Sequence, residues 1–261
     1  MDKQSPYWID GSVPETPGTG EYPDPWKKTD VVGTRVPKVD AYERVSGTAV
    51  YPHDVTLPEM LHGAILRCPH AHANVLKIDT GKAEKMPGVL AVLTGDSPGA
   101  DMPWYSRGGK FSGRLFDTRC RHEGEEIAAV AAETPLQAVD AIRAIEVEYE
   151  ILPFVIDDEA ALDPSAPHVQ EGGNIVGEPS VRERGDLAAG FAEADTVVER
   201  TYRTKCEIHA PMEPHGSVAR WDGNKLTIWD TTQGVYSVQS AMARALGLPL
   251  ANVRVIGHYM G

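Results

Sequence analysis

Cysteine is scarce in this sequence: Cys68, Cys120 and Cys206 are the only three among 261 residues, odd in number, far apart and without a CxxC pair. A disulfide framework and a zinc knuckle are therefore unsupported. No spacing matches an iron–sulfur ligand set. A reducing cytoplasm is the simplest home for such thiols. Long apolar runs are missing as well. Nothing approaches the roughly 20 residues that span a bilayer. The opening MDKQSPYWIDGSVPETPGTGEYPDPWKKTD lacks the apolar centre of a signal peptide. Basic residues are outnumbered, 25 Lys and Arg against 38 Asp and Glu, for a formal charge of -13. Neither nucleic acid nor an anionic membrane suits such a surface as its main partner. Also lacking are a G-x-S-x-G elbow, a P-loop and a G-x-G-x-x-G turn, which removes positive support for acyl-hydrolase and nucleotide-binding readings.

What is present is the composition of a folded protein. A chain of 261 residues with 41% hydrophobic content suffices for a buried core and suits two compact units better than one. Residues 1–42 are rich in Pro, Gly and aromatics without a period of two or 3.6. Tyr7, Trp8, Tyr22 and Trp26 are too many large rings for a free tail, which predicts an extended strap along another surface. From residue 45 the pattern turns regular. Residues 61–66 and 89–93 read as buried strands, and Asp79-Thr80 precedes a short helix over 82–85. The clearest unit is 125–150. IAAVAA is a buried strand, Thr134-Pro135 supplies the N-cap and N1 of a helix, and Leu136, Val139, Ile142 and Ile145 recur at helical spacing before VEY alternates again. Strand, helix and strand in that order predict a crossover unit if the strands are parallel. Residues 153–181 are dense in Pro, Gly and acid, as a linker is. Beyond them Asp186 caps a helix carrying Leu187, Phe191 and Ala194, and TVVERTYRT reads as a strand. SVARW and KLTIW flank the hairpin signal Asp222-Gly223-Asn224. A helix over 237–246 closes at Gly247 and Pro249, and VRVIGHYMG is a final strand.

Candidate sites compete with plainer readings. HAPMEPHGSV, residues 209–218, places His209, Glu213 and His215 on one face if it is extended, a set able to bind zinc or iron. Pro211 and Pro214 remove ladder donors and oppose a regular strand, so a proline-fixed loop setting Met212 and Glu213 against a bound group is the stronger reading. CPHAHA, residues 68–73, alternates Cys68, His70 and His72. Three ligands without a fourth, in a turn begun by proline, read better as a polar strand end. Arg107-Gly108-Gly109-Lys110 reads as an exposed turn rather than an anion nest. Glu125-Glu126 and Asp157-Asp158 read as solvated acids, since adjacent strand residues point to opposite faces. Gln233 in TTQG lies between a strand and a helix and beside Gly234, where loops offer side chains and amides to ligands. A helix-capping polar residue is the ordinary alternative.

From His209 onward, HAPMEPHGSVARWDGNKLTIWDTTQGVYSVQSAMARALGLPLANVRVIGHYMG resembles the first part of the molybdenum-cofactor-binding region of the xanthine dehydrogenase and aldehyde oxidase family. Upstream, VSGTAVYPHDVTLPEMLHGAILRCPHAHANVLKIDT, MPGVLAVLTGD and GEEIAAVAAETPLQAVDAIRAIEVEYEILP are similar to that family's α/β-hammerhead domain. The resemblance runs over residues 45–261 with its segments in order. The strap over 1–42 lies outside it, and the resemblance implies an α+β protein with an α/β-hammerhead domain over 43–155, a linker over 156–181, and the start of a molybdopterin-binding α/β domain over 182–261. By the same resemblance Gln233 donates a hydrogen bond toward the molybdenum centre without ligating it. Gly234 and Gly261 bring backbone close to the cofactor, and Glu213 supports the pterin site from its loop.

The implied cofactor is molybdopterin with molybdenum, in the cytosine dinucleotide form usual for prokaryotic relatives, with iron–sulfur clusters and FAD on partner chains. The implied reaction is hydroxylation of an aldehyde or N-heterocycle, with oxygen from water and two electrons passed through iron–sulfur clusters to a flavin or another acceptor. The family's general base and most of its cofactor cradle match nothing in the sequence, so no catalytic residue is assigned. The chain is expected to be the N-terminal portion of a large subunit. It is expected to be inactive without a remaining molybdopterin-binding segment, an iron–sulfur subunit and a FAD subunit, and to associate obligately. Two readings from other classes stand beside this one: a binding or assembly module of the same fold without molybdenum, and a small hydrolase or isomerase with zinc on His209, Glu213 and His215.

Overall fold

The computed structural model describes residues 37–104, 106–107, 110–111, 113–175, 177 and 180–261. The rings of the expected strap and the Gly108-Gly109 turn lie outside them. Contacts divide the chain into two units, Met1–Ala49 and Val50–Gly261. In the first, α1 (Ala41–Ser46) forms without any apolar period to announce it and ends on Gly47 at φ 74, the left-handed conformation glycine tolerates. Arg44 Nε donates to Asp40 Oδ2 at 2.6 Å and holds that carboxyl below its ordinary range.

The second unit opens with β1 (His62–Arg67), β2 (Ala73–Asp79) and β3 (Val89–Thr94), followed by the two-residue strands β4 (Ser106–Arg107), β5 (Lys110–Phe111) and β6 (Arg119–Cys120). Next come β7 (Glu126–Ala132), α2 (Pro135–Ala144) and β8 (Glu146–Ile151). Among the described residues these strands form two three-stranded sheets, β1-β7-β3 and β6-β2-β8, and a β4-β5 ribbon. The expected crossover at 125–150 is absent. β7 is paired antiparallel on both edges, by β1 and β3, so β8 finds no edge there and pairs antiparallel with β2 instead. Helix α2 thus carries the chain from one sheet to the other.

α2 starts as its sequence dictates, with Thr134 Oγ1 accepting from Gln137 N at 3.3 Å and Pro135 at N1. Its inward face differs from the expected one. Ala141 and Ile145 pack with Ala128 and Val130 of β7, Ile142 packs against them and Ala138 is buried, while Leu136 and Val139 stay 77% and 40% exposed. Alanine on both surfaces lets helix and sheet approach closely. A second cluster joins Cys68, Ala73, Val75, Cys120 and Ile127, and Leu66, Ile78 and Val147 pack against both clusters, giving the two sheets one interior. Burial, with Cys68 and Cys120 alongside, pushes the Tyr149 phenol up to about 12, and burial likewise raises the Cys120 thiol. Glu125, expected to be solvated, is buried: its carboxylate accepts from the Arg121 amide and faces Arg121 Nη1 at 3.6 Å. The expected short helix over 82–85 is a single 3-10 turn, Ala83–Lys85.

The linker stretch holds turns and one 3-10 turn, Ala160–Leu162, whose amide Ala160 N donates to Asp157 Oδ1 at 2.8 Å. α3 (Leu187–Glu193) is capped by Asp186, which accepts from Ala189 N at 2.9 Å, yet the helix buries no residue. TVVERTYRT, expected to be a strand, is not one. It finds no strand to pair with among the described residues, and Val197, Val198 and Tyr202 are 58%, 74% and 88% exposed. Then β9 (Ser217–Asp222) and β10 (Lys225–Asp230) close a hairpin on Gly223-Asn224, with Gly223 at φ 61. α4 (Val235–Ala245) leads to β11 (Val253–Ile256), which lies parallel to β10. The crossover topology therefore occurs here, with Ala243 of α4 packed on Leu226, Ile228 and Val253. The final strand is shorter than expected, since Gly257 to Gly261 leave the sheet. No helix among the described residues is long and apolar enough to cross a membrane.

Candidate functional site at the carboxyl ends of the parallel strands

Parallel β10 and β11 end on the same side of their sheet, and antiparallel β9 begins there. Three loops consequently meet at one edge: 209–216 before β9, 231–234 after β10, and 257–261 after β11. In sheets of this kind, ligands bind in the crevice outside the carboxyl ends of the strands.

Hydrogen bonds fasten the first two loops together. Gly216 N donates to Thr231 Oγ1 at 3.1 Å and Thr231 N to Gly216 O at 3.2 Å, while Ser217 Oγ meets Asp230 Oδ1. Gly257 runs close to the second loop. A Cβ there would lie 3.4 Å from Asp230 O and 3.5 Å from Val235 Cγ1. The first and third loops are joined by Glu213, whose Oε2 accepts from Gly261 N at 2.8 Å. A side chain on Gly261 would put its Cβ 2.8 Å from Glu213 Cβ, so glycine is required by the closeness of two backbones. The ring of Tyr259 leans on Tyr51 with centroids 5.6 Å apart. Tyr51 itself precedes the 3-10 turn Pro52–Asp54, so a segment more than 200 residues away in sequence helps hold this edge.

Glu213 is the unusual group of the site. It is 9% exposed, and its second oxygen, Oε1, is buried with no hydrogen-bond partner among the described residues. Leaving a buried carboxylate oxygen unpaired costs about 1–3 kcal/mol or more, so the oxygen calls for a donor. Pro211 and Pro214 restrict the backbone on either side, and Ala210 adopts φ 43, a conformation unfavourable for a residue with a Cβ. Met212 was expected to share the inward role of Glu213, but it is 96% exposed.

Gln233 lies in the second loop with its side chain exposed. Next to it, Gly234 N donates to Thr232 Oγ1 at 3.0 Å, and α4 begins without any side-chain cap. Its first-turn N–H groups are thus left to water or to a ligand. The edge offers N–H donors from a helix start, one primary amide, and one buried carboxylate oxygen seeking a donor. A group rich in hydrogen-bond acceptors, brought close to glycine backbone, fits the helix start and the amide, while the carboxylate oxygen calls for an N–H.

The structure separates the histidines from this arrangement. His209 and His215 are exposed while Glu213 turns inward to Gly261, so the three do not converge on a metal. CPHAHA is likewise occupied. Cys68 Sγ donates to His70 O at 3.6 Å, His70 stands edge-on to Tyr149 at 4.9 Å, and buried His72 lies between Pro153 O at 2.7 Å and Arg119 Nε at 3.3 Å. Among the described residues no three His, Cys, Asp or Glu side chains are grouped to hold a metal ion. Sequence reasoning brought out Glu213, Gln233, Gly234 and Gly261 but missed Thr231, Tyr51 and Tyr259. Thr231 was within reach as the first residue of TTQG, whereas the tyrosine pair joins distant segments and leaves no local signal.

Comparison with known proteins matches two stretches of the chain. Residues 46–153 match the family model of the aldehyde oxidase and xanthine dehydrogenase a/b hammerhead domain, and residues 168–261 match that of the molybdopterin cofactor-binding domain. The chain is 37% identical over 226 residues to a probable xanthine dehydrogenase subunit of Bacillus subtilis, covering 85% of this chain and 30% of that one. It is 35% identical over 234 residues to the nicotinate dehydrogenase large molybdopterin subunit of Eubacterium barkeri, covering 88% and 54%. The crystal structure of quinoline 2-oxidoreductase from Pseudomonas putida 86 superposes with a TM-score of 0.76 at 31% identity, over 87% of this chain and 30% of that one. The chain thus spans between about a third and about half of the length of these relatives.

Proposed function

The chain belongs to the xanthine dehydrogenase and aldehyde oxidase family, and we propose on that premise that it forms part of the molybdenum-cofactor site of a hydroxylase complex. The reaction class is oxidation of an aldehyde or an N-heterocycle with oxygen taken from water. The observation that carries this reading is the meeting of three loops at the carboxyl ends of β10 and β11, where Gln233 is exposed beside the uncapped start of α4. When bound, molybdopterin would supply two-electron redox chemistry at molybdenum.

The chain's own residues would hold and orient that group. Gln233, exposed beside the start of α4, would donate its amide N–H toward the metal centre, orienting a polar ligand in a site from which water is excluded. The backbone at Gly234 and Gly261 would come close to the cofactor, and Glu213 would support the pterin side from its proline-fixed loop. The cytosine dinucleotide form of the cofactor, iron–sulfur and FAD subunits as partners, a further molybdopterin-binding segment and a cytoplasmic location complete the proposal. The members of this family matched by the chain include enzymes named for xanthine, nicotinate, quinoline and aldehydes, which supports an N-heterocycle or an aldehyde as the substrate class.

The test is to isolate the complex that carries this chain and supply aldehydes and N-heterocycles in water enriched in heavy oxygen. Label in the hydroxylated product, with dye reduced in step, is the expected result. Turnover without label, or no oxidation of either class by a complex that contains the cofactor, would sink the proposal.

A further inference from the structure

We propose that Glu213 is a positioning residue whose carboxylate clasps two N–H donors: the Gly261 amide on Oε2 and, on Oε1, a backbone N–H of the polypeptide that completes this site. The first half of the clasp is present, at 2.8 Å. The second oxygen is buried and without a partner among the described residues, on a side chain only 9% exposed. A carboxylate accepts at both oxygens, and a buried one is stabilised when both are used.

The kind of donor follows from what surrounds the oxygen. Backbone meets backbone here. At Gly261 a Cβ would come within 2.8 Å of Glu213 Cβ, and at Gly257 within 3.4 Å of Asp230 O. Successive main-chain N–H groups in a glycine-containing turn converge on a single anion, and a carboxylate that already holds one such N–H is half of that arrangement. Fixed by Pro211 and Pro214, the loop of Glu213 would serve as a rigid wall against which the segment after β11 is set. That segment's Gly257 runs beside Asp230 and Val235, next to the loop of Gln233 and the start of α4. Clasping the segment therefore sets the width of the edge where the cofactor is proposed to lie. That consequence and the identity of the second donor rest on the reading of the preceding section, while the bond from Gly261 N to Oε2 does not.

The test compares the wild-type complex with Glu213→Gln and Glu213→Ala, each prepared from cells able to make molybdopterin and from cells unable to make it. Amide hydrogen exchange is followed in the peptide containing residues 257–261. Exchange should be roughly tenfold or more faster in Glu213→Ala. Glu213→Gln should fall between, because glutamine keeps one acceptor and turns a donor toward the other N–H. Wild-type protection should be the same with and without cofactor. Wild-type exchange rates in Glu213→Ala would overturn the clasp, and equality of Gln with Glu would overturn its second hydrogen bond. Protection seen only in cofactor-loaded samples would give Oε1 to the cofactor and also overturn the proposal. Should the alanine variant fail to fold by circular dichroism, the near-isosteric glutamine variant decides. Molybdenum measured on the same samples separates the two ideas. Its absence from wild type would defeat the cofactor reading and leave the exchange comparison to judge the clasp.

Discussion

β7 and residues 196–204 look alike in sequence and end differently. EIAAVAA is half alanine, a residue of modest strand propensity, yet it is the central strand of a sheet, with Ile127, Ala128, Val130 and Ala132 buried. TVVERTYRT is richer in the β-branched and aromatic residues that favour strands, and it pairs with nothing among the described residues. The difference is one of partners. β7 is hydrogen-bonded on both edges and covered by α2, whereas Val197, Val198 and Tyr202 have no surface to meet. Strand character is thus conferred by a neighbouring edge and a face to bury, more than by the residues of the strand. An exposed stretch with such residues also suits pairing with another polypeptide.

Mutations can break or sharpen this contrast. Ile127→Ala should lower the stability of the folded chain by about 3–4 kcal/mol, since it empties a fully buried site, whereas Val198→Ala should change it by less than about 0.5 kcal/mol. Urea denaturation of both variants measures the pair. Equal losses would mean that 196–204 is packed in solution, and the contrast would fail. A smaller effect separates the two capped helices. Thr134→Ala should cost about 1 kcal/mol because α2 covers the core, while Asp186→Ala should cost a few tenths, because α3 buries nothing and its fraying is uncoupled from the rest. Thermal melts followed by circular dichroism would register the first change and leave the midpoint of the second nearly unmoved.

A further effect, confined to alkaline pH, concerns Tyr149. Burial raises the folded-state pKa of Tyr149 to about 12, above its ordinary value of 10.0. Between those values the unfolded chain has released the phenolic proton and the folded chain still holds it, so stability falls as pH rises through this window and then levels off. Tyr149→Phe should flatten that part of the stability profile. An unchanged slope in the variant would show that Tyr149 is not its source.

Much of the fold was legible because its signals are local. Thr134-Pro135, Asp186 and Gly223-Asn224 set helix starts and a hairpin by short-range chemistry, and each does so in the structure. Pairing was less legible. The order strand, helix, strand at 125–150 suggested a crossover, but whether two strands share a sheet depends on which edges are free, and β1 and β3 come from elsewhere in the chain. The inward face of α2 was half legible for a related reason: of the four residues marked by apolar spacing, Ile142 and Ile145 pack on the core but Leu136 and Val139 do not, because the alanines of β7 admit a helix that presents alanine in return. At the candidate site, the prolines around Glu213 and the glycine beside Gln233 drew notice by type. Their assembly at one edge, and the buried oxygen of Glu213, follow only from the parallel pairing of β10 with β11.

The central claim is that this edge holds part of a molybdenum-cofactor site, and its most direct test is the molybdenum and pterin content of the complex isolated with this chain from its native source. The account predicts close to one molybdenum and one pterin per chain. A purified, intact complex that contains neither, or that carries zinc on His209 and His215 in their place, would contradict it.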